Sequence, residues 1–394
     1  MLALTGTVVL DLCRGFPGAR SAMFLGDFGA EVIRIDPPTG ALAALPSIGI
    51  EAKDFEKLAA YSTSTRNKKS IILNLRSEEG RNVFYRLVKK ADVLLEGFRP
   101  GVMKRLQADY ETLRKLNPRL IYCSLTGYGQ DGPYATMPGH DLNYAALGGA
   151  LSLIGPRGGP PYMASNMLAD AAGAGLHGVI GILLALMARE RTAKGQFVDI
   201  AYLDGVISLL DEAPMYFTGG QVPRRGETFL TGAAPYFNIY RCKDGEYITI
   251  GCVEAHFWQN LCRAIGREDL IPLQDPPPQK REMVFSALQE AFLSRTRDEW
   301  FEFLKDKETC VAPVYYFNET FSDPQVLHRR MVAEIDDARF GKVKQVGIPI
   351  KLSDTPGQIR SLGTMPGAHT KEILRDLGYT QREIEELRRA QAIE

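Results

Sequence analysis

Short β-rich runs recur through the first third of the chain, each followed by a stretch with helical spacing, and this alternation constrains the fold most. Val8 to Leu12 reads as a strand, and a Gly/Pro turn leads into a helix over Ala19 to Phe28. Glu31 to Ile35, Ser70 to Leu75, Asp92 to Leu95 and Leu120 to Leu125 read as further strands. Ser77-Glu78-Glu79 supplies an N-cap and an acidic first turn for a helix running to Lys90, and a short helix follows near Val102 to Leu106. Strand, helix, strand in this order predicts an α/β fold with a parallel sheet covered on both faces.

A chain of 394 residues exceeds one ordinary core, which predicts two domains. Residues 1–218 read as a large domain and 219–228 as a linker rich in Gly, Pro, Arg and Thr. Residues 229–321 read as a smaller α+β domain opening on a hairpin that turns at Lys243-Asp244-Gly245. Residues 322–394 read as a return segment whose C-terminal helical pattern, Lys371 to Arg389, packs on the large domain. The apolar run Ala172 to Ala188, with four glycines and His177, is shorter than the ~20 residues a bilayer span needs and reads as a buried core helix.

Lys plus Arg and Asp plus Glu both number 47, so the net charge is zero and no bulk field favours nucleic acid or an anionic membrane as partner. The six cysteines form no C-x-x-C pair, and with five scattered histidines no metal pattern emerges. Unpaired thiols, an N-terminus without signal-peptide regions and a C-terminus that is no peroxisomal address give a cytoplasmic expectation.

The first βαβ unit ends in Asp36, as in nicotinamide-binding folds, but its turn is Arg14-Gly15-Phe16-Pro17-Gly18 rather than G-x-G-x-x-G, and Pro17 lacks an N–H for a pyrophosphate. Basic residues cluster elsewhere. Arg76, Arg99 and Arg105 follow the ends of predicted strands, where parallel sheets bind ligands, and could converge on phosphates. Taken singly, such arginines more often decorate loops.

Two helix starts carry candidate chemistry. His140 opens one helical run, where the positive helix end lowers its pKa and favours a neutral imidazole able to act as a base. Asp170 precedes the apolar run, where helix N–H groups stabilise its anion and apolar neighbours oppose it. Each also fits a plain capping role. Glu254, between a strand and a helix, reads alone as a cap or surface acid. Met137, Met163, Met167 and Met215 fit either a pliable apolar acyl surface or plain core.

Taken together, several motifs resemble the family III CoA-transferase superfamily of the CaiB/BaiF type. They are Leu25-Gly26-Asp27-Phe28-Gly29-Ala30-Glu31-Val32-Ile33-Arg34-Ile35-Asp36, Arg66-Asn67-Lys68-Lys69-Ser70 and Phe98-Arg99-Pro100-Gly101-Val102, with Thr126-Gly127-Tyr128-Gly129-Gln130-Asp131-Gly132-Pro133 and Lys194-Gly195-Gln196. Gly139-His140-Asp141-Leu142-Asn143-Tyr144, Met167-Leu168-Ala169-Asp170, Gly251-Cys252-Val253-Glu254 and Ala234-Pro235-Tyr236-Phe237 look like the α-methylacyl-CoA racemase branch.

The resemblance implies a large Rossmann-like domain and a small domain in an interlocked homodimer, with the active site between the large domain of one chain and the small domain of the other. It implies acyl-CoA as substrate and no metal or redox cofactor. It carries CoA contacts to Leu73, Asn74, Leu75, Arg76, Gly97, Phe98, Arg99 and Arg105 and to Gly139, Asp141, Leu142, Asn143 and Tyr144; His140 and Asp170 become the catalytic pair and Glu254 their assistant. Two departures stand out: Pro37 occupies the position after Ile-Asp where such racemases can carry arginine, and the tail Pro366 to Leu374 is closer to transferases. The expected reaction is exchange of (R)- and (S)-2-methylacyl-CoA by α-proton removal and return, His140 serving one face and Asp170 the other, with helix-start N–H groups holding the enolate oxygen. The alternatives are CoA transfer between carboxylates through an aspartyl-CoA intermediate on Asp170, and a CoA-responsive binding protein without turnover.

Overall fold

The computed structural model describes residues 1–38 and 52–394. The chain divides into two compact units, the first comprising Met1–Gly148, Ser165–Leu209 and Pro324–Glu394, the second Gly149–Ala164 and Leu210–Asp323. The sequence reading placed 149–164 in the large domain and the boundary near 218. In the structure 149–164 joins the second unit because its backbone is claimed there: Arg225 donates to the carbonyls of Ser152 and Gly159.

The first unit is built on β1 (Val8–Asp11), α1 (Phe16–Asp27), β2 (Glu31–Asp36), β3 (Lys68–Ile72), α2 (Glu78–Lys90), β4 (Val93–Glu96), α3 (Val102–Arg105), β5 (Ile121–Thr126), α4 (Asp141–Leu147), α5 (His177–Thr192) and β6 (Phe197–Ala201). The strands form one six-stranded sheet in the order β3-β2-β1-β4-β5-β6, with every neighbouring pair parallel. The chain therefore winds outward one way from β1 and the other way from β4, and the crevice between these two strands is the topological switch point where such sheets bind ligands.

Local chemistry explains the element boundaries. Helix α1 begins at Phe16, earlier than the spacing alone predicts, because Pro17 supplies a pre-set φ in the first turn. Ser77 caps α2 by accepting the Gly80 N–H at 3.0 Å, and Glu78 and Glu79 face the positive helix end. One sheet face packs Leu10, Ile33, Ile71, Leu94 and Phe84 with Ile373, Leu374 and Ile384 of the C-terminal tail, so the tail closes the core of this unit. That tail is two helices, Thr370–Asp376 and Gln381–Arg389, separated at Gly378, whose φ of 85° favours glycine. Buried ion pairs tie β3 to its surroundings: Arg66 pairs with Asp27 and donates to the Val346 carbonyl, and Lys68 pairs with Asp11 at 2.9 Å.

Helix α5 continues a π-helical stretch, Met167–Leu176, so the apolar helix spans 26 residues, Met167–Thr192. This corrects two expectations. Among the described residues it is long and apolar enough, by length and composition, to cross a membrane, and it is no fully buried core helix. Gly178, Ile182 and Ala185 pack inward, whereas Ile180, Leu184 and Met187 on the other side are exposed.

The second unit carries an antiparallel sheet of β7 (Phe237–Arg241), β8 (Tyr247–Gly251) and β9 (Val311–Pro313), with α6 (Ala255–Ala264) following β8. Its own core gathers Trp258, Leu261, Ile248, Phe292 and Trp300.

Candidate active site

Two cavities open at the switch point of the first unit, and Phe98, just past β4, lines both. The first, about 730 Å³, is walled by Arg14, Pro37, Pro38, Leu73, Asn74, Leu75, Arg76, Val102 and Arg105, among others. The second, about 530 Å³, is walled by Phe16, Gly97, Arg99, Gly139, His140, Asn143, Tyr144, Asp170 and Tyr202, among others. Residues 73–76 and 97–99, with Gly139, His140, Asn143 and Tyr144, are far apart in sequence but meet here because the sheet order brings the ends of β1, β3, β4 and β5 to one edge. Arg76, Arg99 and Arg105 do not all converge: Arg76 and Arg105 share the larger cavity, whereas Arg99 lines the smaller one.

His140 is the N-cap residue of α4. Its backbone N–H donates to Asn143 Oδ1 at 3.0 Å, and the residue lines the smaller cavity. Asp170 lies in the first turn of the long helix, beyond the N-cap position held by Asn166, which removes the plain N-cap reading. Its half-buried carboxyl is raised above the usual aspartate value by desolvation and by the neighbouring Asp141 carboxylate, while His140 and a hydrogen bond from Asn166 pull the other way.

Asp141 and Leu142 are not among the residues that line the cavities. Asp141 is buried, and its Oδ1 accepts the backbone N–H groups of Ala169 and Asp170 at 2.9 and 2.8 Å. Asp141 thereby satisfies two N–H groups at the start of the long helix. Leu142 is exposed. Tyr144 packs edge-on between Tyr128 and Tyr202, with ring centroids 5.0 and 5.2 Å away, and burial pushes its phenol up to about 12. Glu254 is the exposed N-cap residue of α6 in the second unit. Met137, Met163, Met167 and Met215 are all exposed, which rules out plain core, and Met137 lines the smaller cavity.

Glu96 ends β4 directly below the shared loop. It is 3% exposed; it accepts the Phe98 N–H at 2.8 Å and a hydrogen bond from Ser124, which itself accepts from Gln130 at 2.6 Å. Burial lifts its carboxyl to about 7 despite those two hydrogen bonds. Among the described residues, no group of three His, Cys, Asp or Glu side chains is arranged to hold a metal ion.

A family model described as CoA-transferase family III matches residues 4–370. The chain belongs to that family. This family III chain is 36% identical to the alpha-methylacyl-CoA racemase of Homo sapiens, with 100% of the chain and 98% of the human protein covered. It is also 36% identical to the succinyl-CoA–L-malate CoA-transferase beta subunit of Chloroflexus aurantiacus, again covering 100% of the chain and 98% of the relative. Among solved structures, a CAIB/BAIF family protein from Brucella suis matches with a TM-score of 0.80 at 30% identity, covering 95% of this chain and 99% of that one.

Sequence reasoning about this family III member missed Arg14, Phe16, Glu96 and Tyr202. Arg14 and Phe16 stand in the turn after β1, which was weighed only against a dinucleotide motif; its position at a strand end was the available signal. Tyr202 follows β6 with no local motif, and only the fold brings it to Tyr144.

Proposed function

We propose that this enzyme interconverts the epimers of 2-methylacyl-CoA thioesters. One observation supports the reading above the rest: His140 and Asp170 line a single cavity, beside a loop that also lines the arginine-bearing cavity. A thioester acidifies its α-C–H bond, yet proton loss at neutral pH still needs a base and a way to spread the charge. In one direction the His140 imidazole, acting as base, takes the α-proton, the C–H electron pair moves onto the thioester oxygen as an enolate, and the Asp170 carboxylic acid returns a proton to the opposite face. The reverse direction exchanges these roles. Desolvation at Asp170 suits a carboxyl that must hold a proton for part of the cycle. The assisting role of Glu254, a homodimeric assembly and the absence of a metal or redox cofactor belong to the same proposal. The exposed apolar side of α5, with Ile180, Leu184 and Met187, supports self-association.

CoA transfer is the second reading, supported by the equal identity to the Chloroflexus transferase subunit. There the Asp170 carboxylate attacks the thioester carbonyl and expels CoA thiolate, which then attacks the aspartyl carbonyl of the mixed anhydride, forming aspartyl-CoA and releasing the acyl group as its free carboxylate. A single 2-methylacyl-CoA epimer in deuterium oxide separates the two. Inversion with α-deuterium and no added acid is the racemase result. No inversion or α-deuterium, with CoA moving once a free carboxylate is supplied, is the transferase result and overturns the first reading.

A further inference from the structure

We infer that Arg14 is a phosphate ligand for the bound CoA thioester, supplying a cation that position 37 does not; this rests on the acyl-CoA reading above. Arg14 is an exposed residue in the turn after β1, at the switch point, and its guanidinium sits 5.1 Å from the ring centroid of Phe98. Stacking on a ring leaves the N–H edge of a guanidinium directed outward, the geometry suited to phosphate oxygens. Arg14 shares the larger cavity with Arg76 and Arg105, and among the described residues no carboxylate lines that cavity. None of the three guanidiniums forms an ion pair with a described residue, in contrast to Arg66, Arg189 and Arg297, which are all held by acids. With three guanidiniums and, among the described residues, no acid to neutralise them, the cavity is complementary to a polyanion. Pro37 lines the same cavity and adds neither charge nor N–H. Because Phe98 also lines the His140 and Asp170 cavity, a phosphate held on Arg14 would anchor the ligand beside the loop that leads to the reacting end.

The test is calorimetric titration of the full chain with acetyl-CoA and with acetyl-pantetheine, which has no phosphates. Arg14→Ala should weaken acetyl-CoA binding by about tenfold or more, the loss of one charge-assisted contact, and leave acetyl-pantetheine unchanged. Arg14→Lys should fall between the two. Adding Pro37→Arg to Arg14→Ala should restore part of the lost affinity, which a misfolded variant could not do. Unchanged acetyl-CoA affinity in Arg14→Ala, with a loss in Arg76→Ala, overturns the assignment of Arg14 while sparing the acyl-CoA reading. Equal weakening toward both ligands also overturns it. A wild-type protein that binds no acetyl-CoA overturns the acyl-CoA reading, and the role of Arg14 with it.

Discussion

Asp141 Oδ1 accepts the backbone N–H of Asp170 at 2.8 Å and that of Ala169 at 2.9 Å, so the residue next to His140 in sequence holds the helix start that carries the other candidate. A displacement of α4 is thereby coupled to Asp170. The same carboxylate also raises the Asp170 carboxyl by like-charge repulsion, second to desolvation. Position and protonation of Asp170 both run through one buried side chain.

Changing Asp141 separates these two effects. Asp141→Ala leaves two N–H groups without their acceptor and should destabilise the protein by about 1–3 kcal/mol, read as a lower denaturation midpoint. Asp141→Asn keeps an acceptor oxygen but removes the charge. Asp170 then loses a proton more readily, so the limb of the pH–rate profile that depends on Asp170 should move to lower pH. An unmoved profile would show that the two carboxylates do not interact.

His140→Ala should lower epimerisation by about 10²–10⁴, the range for a positioned acid–base group, while acetyl-CoA affinity stays near that of the wild type. Asp170→Asn should do the same. Wild-type rates in the His140 variant, with transfer lost only in the Asp170 variant, would point to acyl-aspartyl chemistry.

Glu96 gives a pH prediction. Its carboxyl titrates at about 7 in the folded chain against an ordinary 4.5, so between these values the folded state holds a proton that the unfolded state has released. Stability from this group is therefore present below about 4.5 and declines as pH rises to about 7, by up to about 1.4 kcal/mol per unit. Glu96→Gln mimics the protonated form and should flatten that part of the curve in denaturant titrations. Asp27, Asp170 and Asp199 are also raised by burial and keep a residual slope of the same sign. A variant with the wild-type slope would refute the assignment.

Gly127→Ala tests how the tyrosine cluster shapes the smaller cavity. A Cβ at position 127 would lie 2.4 Å from Tyr144 Cε1 and 2.5 Å from its hydroxyl, and the ring, held between Tyr128 and Tyr202, has little room to retreat. A loss of about 1–3 kcal/mol is expected from overpacking, with weaker acyl-CoA binding in the same variant. Thermal melts and a binding titration check both.

Hydrophobic periodicity and capping chemistry are local properties, and they were enough to determine the alternating strands and helices, the parallel class of the sheet and the cap at Ser77. The motifs of Leu25–Asp36, Arg66–Ser70, Phe98–Val102, Thr126–Pro133 and Lys194–Gln196, taken together, were enough to point to the family. Boundaries shifted by a few residues where a local exception intervened, as Pro17 did for α1. What only the tertiary structure decided is which distant residues meet. The order β3-β2-β1-β4-β5-β6 puts the turns after β1 and β4 side by side, so Arg14 reaches Phe98 and the larger cavity. It also places Arg99 in a different cavity from Arg76 and Arg105, and makes Asp141 a buried tether for the start of the long helix. No spacing along the chain encodes those outcomes, because they depend on backbone hydrogen bonds and packing between segments tens of residues apart.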